Sequence, residues 1–300
     1  MQKKNNLGDI IYGTAKLGNQ NYGFSSSSES LSSREEFISK LLEKGVARFD
    51  TSPRYGDAEL ILGKALKNKN KNKNVKIDSK IIELKPNDSK SGEKIFKQVE
   101  NSLKHLNGQS LNVLYLHQNE IEILKDKRIQ KALSEVLNQG LAKCIGTSVY
   151  SHKELNYSLQ NDLYSSIQVP VNILNTSFYD KFLISENKNK KELIARSIFL
   201  QGTLLNLEDS HIKNINIELY NAIVKLKNIC KRHNTNVLNE AKKTVYKLPA
   251  IKIIQSSRSF ENIKSNLYYD SQLNDDLIEK EIKSLRDLEY TFTNPRNWKI

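Results

Sequence analysis

The sequence predicts a single-domain (β/α)8 barrel of the TIM type. Short apolar runs alternate with longer amphipathic stretches eight times between about residues 10 and 267, the pattern of parallel strands joined by crossover helices. Eight such units in roughly 250 residues match the size of a closed barrel. An open doubly wound sheet would also alternate. No Gly-x-Gly-x-x-Gly follows the first apolar run, however, where a nucleotide-binding sheet carries one.

The first strand is IIYGT (10–14), followed by the helix SREEFISKLLEKG (33–45), which enters at Ser33 and stops at Gly45. VARFD (46–50) is the second strand and AELILGKALKN (58–68) the next helix. VKIDSKI (75–81) gives the third strand. The helix GEKIFKQVENSLKHL (92–106) then places Ile95, Val99, Leu103 and Leu106 on one face. LNVLYLH (111–117) is a buried fourth strand and RIQKALSEVLNQG (128–140) a Gly-terminated helix. LAKCIGTS (141–148), SIQVPVN (166–172) and ELIARSIF (192–199) supply strands five to seven. A helix over about 215–232, the eighth strand AIKIIQSS (250–257) and the helix SFENIKSNL (259–267) complete the core. Residues 1–9 read as loose, and 268–300 as a C-terminal extension of helix and tail.

Composition narrows the function. Hydrophobic residues make up 38% and charged residues 27%, an ordinary globular balance. No apolar run reaches the length of a membrane-spanning helix, and the N-terminus lacks the apolar stretch of a secretory signal. Cys144 and Cys230 suit a reducing compartment, so a cytoplasmic location is expected. The net charge is +13, but the lysines are dispersed, as in the LysAsn repeat at 67–74, and no nucleic-acid module accompanies them. Such a surface binds no nucleic acid or membrane by itself, although a positive field suits a phosphate-bearing small molecule.

Chemistry gathers where strands end, because active sites of these barrels lie on the C-terminal rim. The second strand ends at Asp50, the third at Lys80 and the fourth at His117, and Tyr55 follows in DTSPRYG. A phenol with an unperturbed pKa of about 10 is a poor acid, and a neighbouring ammonium is expected to lower that value. Asp50 would keep Lys80 charged, and His117 would orient a substrate oxygen, a set suited to protonating a carbonyl. Strict alternation puts Lys76 and Asp78 on the same face as Lys80. Either they pair inside the barrel or a bulge breaks the phase. His105, His152, His211 and His233 have no metal-ligand spacing, and no metal is expected. Cys144 reads as a buried hydrophobe, Cys230 as unreactive, Glu59 as scaffold, and Gly13, Gly18 and Gly23 as turn residues.

GVARFDTSPRYGDAELILGKAL (45–66) resembles the defining segment of the aldo-keto reductases. VKIDSK, VLYLHQ, GLAKCIGTS, IQVPVN and ARSIFLQGTL resemble, in order, that family's later strand motifs, and ARSxFLQG resembles a bacterial subgroup that includes enzymes of surface-sugar pathways. The resemblance implies reduction of a small-molecule carbonyl by a nicotinamide cofactor without a metal. It assigns Tyr55 as the acid, Lys80 and Asp50 as its tuning pair, and His117 as the carbonyl-orienting group. It places Ser148 and Gln168 on the nicotinamide amide, with Val149 where Asn is common, and Arg196 where an aromatic usually stacks on the ring. Ser257, Arg258, Asn262 and Asn266 match the segment gripping the adenosine phosphate, which points to NADPH rather than NADH; Ser265 stands where an acidic residue is common. Two other readings stay open: a catalytically weak or inactive cofactor-binding regulatory protein, and a lyase or isomerase using Lys80 as a Schiff base.

Overall fold

The computed structural model describes residues 2–4, 7–19, 30–67, 74–108, 110–117, 120–204, 209–270, 275–286, 290–294 and 297–298. Its first half runs β1 (Gln2–Lys4), β2 (Ile10–Gly13), α1 (Ala15–Gly18), α2 (Leu31–Glu43), β3 (Arg48–Asp50), α3 (Ala58–Lys67), β4 (Lys76–Ile81), α4 (Ser91–His105), β5 (Leu111–Leu116), α5 (Ile121–Lys125) and α6 (Lys127–Asn138). Then come β6 (Ala142–Ser148), α7 (His152–Gln160), β7 (Tyr164–Pro170), α8 (Ser177–Leu183), β8 (Glu192–Arg196), α9 (Asp209–Ile215), α10 (Ile217–Arg232), α11 (Val237–Tyr246), β9 (Ile251–Gln255), α12 (Phe260–Ser265), β10 (Tyr268–Asp270) and α13 (Asp275–Arg286).

Strands β2 to β9 close into a parallel barrel, with β9 returning to pair with β2. All eight strands fall where the sequence predicts them. Closure buries the strands on two sides, so one such as β5 is a near-continuous apolar run. On the outside, α6 lays Ile129, Ala132, Leu133 and Val136 against the sheet, the i, i+3, i+4, i+7 stripe of an amphipathic helix. Asp126 caps that helix by accepting from Arg128 and Ile129 N–H. The helix predicted over 33–45 is entered earlier, with Ser30 accepting from Ser33 N–H.

One expectation at the ends needs correction. Part of the segment predicted to be loose forms β1, which pairs antiparallel with β10, so backbone hydrogen bonding orders what composition left neutral. The C-terminal extension joins a core: Ile278, Ile282, Phe292 and Trp298 pack with α10, and Arg286 Nε donates to Ile173 O at 2.9 Å. Helices α1, α5, α7, α8, α9 and α11 lie outside the sequence expectations. The LysAsn repeat at 68–73 and Gly23 lie outside the described residues.

Inside the barrel, away from the rim, the open question at Lys76 and Asp78 resolves into pairing. Lys76 is exposed at the strand start, whereas Asp78 is buried. Asp78 accepts from Arg48 Nε at 2.8 Å and Asn112 Nδ2 at 2.7 Å. Arg48 forks its terminal nitrogens onto Glu192 at 2.9 and 2.8 Å, and Lys252 Nζ reaches the same carboxylate at 2.6 Å. Burial pushes the Asp78 carboxyl up to about 6, outweighing the pull of Arg48. Burial acts the same way on Glu192, but hydrogen bonds from Arg48 and Lys252 win there and bring it down to about 2.

The signs are opposite. The Asp78 contribution is greatest below its unfolded pKa and is lost as pH rises through about 6. That of Glu192 is complete above its unfolded value and is lost as pH falls toward about 2. Denaturant unfolding of the parent and Asp78→Asn should therefore show the parent losing ground to the variant as pH rises from about 4 to about 7. A pH-independent difference would mean that Asp78 does not titrate in this window.

Candidate active site

The ends of all eight barrel strands open on a cavity of about 940 Å³. Asp50 ends β3, Lys80 lies one residue from the end of β4, and His117 directly follows β5. Inter-strand bonds hold these ends in step: Thr51 N–H donates to Asp78 O at 2.8 Å, and His117 N–H to Ile81 O at 3.0 Å. Lys80 Nζ sits 2.7 Å from Asp50 Oδ2 and 2.8 Å from Thr51 O. Gln168 Nε2 donates to Asp50 Oδ1 at 2.6 Å, so both oxygens of this buried carboxylate are engaged. An ammonium this deep is tolerable because its partner is fixed and hydrogen-bonded elsewhere too.

Tyr55 comes from the turn after β3. Lys80 Nζ lies over its ring, 5.0 Å from the centroid, and the His117 ring meets it edge-on at 6.0 Å. Ser52 Oγ lies 3.4 Å from His117 Nδ1. Lowering of the phenol pKa by Lys80 is the sequence expectation, and it is overturned. Burial raises the Tyr55 pKa well above its ordinary value, the Asp50 charge and the neighbouring Tyr150 phenol add to this, and Arg196 and Arg54 only partly oppose it. The hydroxyl is thus a protonated phenol, the form that can donate.

Gly18 is no ordinary turn glycine. A Cβ there would stand 1.7 Å from Tyr55 O and 2.5 Å from the Ala58 Cβ. Tyr55 O itself accepts from Ala58 N–H at 3.1 Å, at the entry to α3. Gly56, at φ +54°, closes the turn on the other side, where an added Cβ would stand 2.6 Å from Gly18 O. Gly18→Ala should cost about 1–3 kcal/mol in denaturant unfolding. Because it pushes the Tyr55 backbone, it should also cut turnover by up to about 100-fold. Normal kcat in a destabilised variant would show that the turn can shift without moving the phenol.

Of the other expected residues, Ser148, Gln168, Arg196, Ser257, Asn262 and Asn266 line the same cavity. Arg196 Nε donates to Ser148 Oγ at 3.2 Å and its NH2 to Val149 O at 2.9 Å, with the guanidinium 3.9 Å above the Tyr150 ring. Arg258 is turned to α1, donating to Lys16 O at 2.7 Å and to Asn19 O, just past its end, at 3.3 Å, and is not among the lining residues. Lining residues missed in the sequence include Lys16, Arg54, Tyr150 and Lys227. The rim rule could have found Lys16 and Tyr150, which follow β2 and β6. Lys227, on α10, had no such signal.

Backbone strain collects here as well. Ser197, Leu200 and Gln201 all take positive φ, at 59°, 46° and 58°, and Ser197 and Gln201 line the cavity. Such conformations cost about 1 kcal/mol or more each and cluster at functional sites. No group of metal-binding side chains is found among the described residues.

Comparison with known proteins agrees with this fold. An aldo-keto reductase from Bacillus halodurans, AKR11C1 in its holo form, has a similar fold: TM-score 0.74 at 17% identity, covering 98% of this chain and 100% of that one. The glycerol dehydrogenase AKR11B4 of Gluconobacter oxydans matches with TM-score 0.68 at 16% identity, over 96% and 92% of the two chains. A thermostable aldo-keto reductase, Tm1743, bound to the inhibitor epalrestat, matches with TM-score 0.65 at 21% identity, over 91% and 94%. No curated protein sequence matches the chain. The profile of the aldo/keto reductase family matches residues 9–287, and the chain therefore belongs to that family of oxidoreductases.

Proposed function

We propose that the protein is an NADPH-dependent carbonyl reductase in which Tyr55 protonates the substrate oxygen. The observation that carries this reading is the buried Lys80–Asp50 pair under a protonated Tyr55, with His117 beside it, at one end of a cavity of about 940 Å³. Elsewhere the cavity is lined by Lys16, Ser256, Ser257, Asn262 and Asn266. The buried Ser256 Oγ and Gln255 Oε1 have no hydrogen-bond partner, and burial, with Arg258 nearby, lowers the Lys16 pKa. Unsatisfied polar atoms and crowded cations are what a phosphate-bearing dinucleotide relieves.

When bound, the reduced nicotinamide supplies a hydride to the carbonyl carbon. Ser148 and Gln168 would hold its amide, and Arg196 would lie against its ring. His117 donates a hydrogen bond that orients the carbonyl oxygen. Tyr55 delivers its proton to that oxygen as the carbon gains two electrons, leaving a phenolate. The Lys80 ammonium, together with the Arg54 and Arg196 charges, stabilises that anion until solvent returns a proton.

The test is spectrophotometric. Protein mixed with NADPH and a panel of aldehydes, ketones and keto-sugars should consume the cofactor, and NADH should serve less well. Tight NADPH binding without turnover across the panel would instead favour the regulatory reading, for which the altered amide contact at Val149 and the unusual Arg196 speak.

A further inference from the structure

The cavity is charged at both ends, and its cofactor end accounts for only part of that charge. Among the described lining residues, Lys16, Arg54, Lys80, Arg196 and Lys227 are cationic, and Asp50 is the carboxylate that faces them. Asp50 is already committed to Lys80 and Gln168. Arg54 and Arg196 line the cavity together with Tyr55, and both charges act on its phenol. They therefore stand where the carbonyl compound must lie, next to the hydroxyl that protonates it.

Neither guanidinium is spent on a strong ion pair. Arg54 is half-exposed, and its acidic partner Glu83, 4.0 Å away, is more exposed still, a contact worth little in water. Arg196 makes no ion pair among the described residues. Its bonds to Ser148 Oγ and Val149 O and its stacking on Tyr150 instead fix the guanidinium in place. A pre-positioned guanidinium suits bidentate capture of a carboxylate or phosphate.

We infer that the carbonyl substrate carries an anionic group, carboxylate or phosphate, held by Arg54 and Arg196 beside Tyr55. The inference rests on the carbonyl-reductase reading for its turnover assay and stands apart from it in the binding assay. With NADPH as reductant, kcat/KM is compared within matched pairs: 4-carboxybenzaldehyde against benzaldehyde, and glyceraldehyde 3-phosphate against glyceraldehyde. The expected preference for at least one charged member is about 10- to 100-fold, the worth of one or two charge-assisted hydrogen bonds. That ratio should collapse in Arg54→Gln and in Arg196→Gln. The arm that shows it identifies the anion.

In parallel, NADPH-saturated protein is titrated calorimetrically with benzoate, phenyl phosphate and benzyl alcohol. The saturating cofactor keeps these anions from the phosphate end. Binding of an anion but not the alcohol, lost in Arg54→Gln, supports the site even if no aldehyde is turned over, in which case it is the reductase reading that falls. Equal kcat/KM for charged and neutral members, or a preference that survives both substitutions, overturns the anion site and leaves the reductase reading standing.

Discussion

Replacing Tyr55 with phenylalanine should lower kcat for carbonyl reduction by about 100- to 10,000-fold, the range ascribed to a positioned general acid. NADPH affinity should stay within about twofold, because the ring and its contacts are kept and only the hydroxyl goes. The edge-on packing against His117 and the ammonium over the ring face both survive the change, so the unfolding free energy should barely move. Single-turnover absorbance and cofactor fluorescence titration measure the two quantities. A variant as fast as the parent would shift the proton donor to His117, whose ring packs edge-on against the phenol.

Lys80→Met tests the support beneath the phenol. In the parent, the ammonium satisfies Asp50 Oδ2 and Thr51 O together. Without it, a buried carboxylate keeps only Gln168 as a side-chain partner. Removing one member of a buried pair costs about 3–5 kcal/mol, which urea denaturation would register. Turnover should also fall to near background, since the phenolate formed by proton transfer loses the ammonium over its ring. Adding Asp50→Asn should recover much of the stability and none of the activity. Recovery of both would reduce the pair to scaffold, and a Lys80→Met variant of parental stability would show that water replaces the ammonium.

Much of the barrel is legible in the sequence because each strand is a short apolar run and each long helix carries its own stripe. Ile129 to Val136 in α6 state their burial by spacing alone. The missed helices α5 and α8 have five and seven residues, too short for periodicity to separate them from loop. Helix α7 is different, since Ser151 and Glu154 form a full capping box, a signal that is present in the sequence. Strand β1, three residues long, exists through its partner β10 and has no pattern of its own.

What the sequence determined by itself is the order of chemistry along the chain: Asp50, Lys80 and His117 at three successive strand ends and Tyr55 in the turn between, because strand period and rim position are local properties. What only the tertiary structure decided is how these groups act on one another. Burial, a property of the whole assembled barrel, overrides the single neighbour and turns the expected fall of the Tyr55 pKa into a rise. The same holds for Gly18, whose reason is the carbonyl of Tyr55 pressed against it, and for Arg54 and Arg196, which meet beside one phenol only after the barrel closes. Pairwise chemistry can be read along a chain, but desolvation and close approach depend on segments far apart in sequence and exist only once those segments pack.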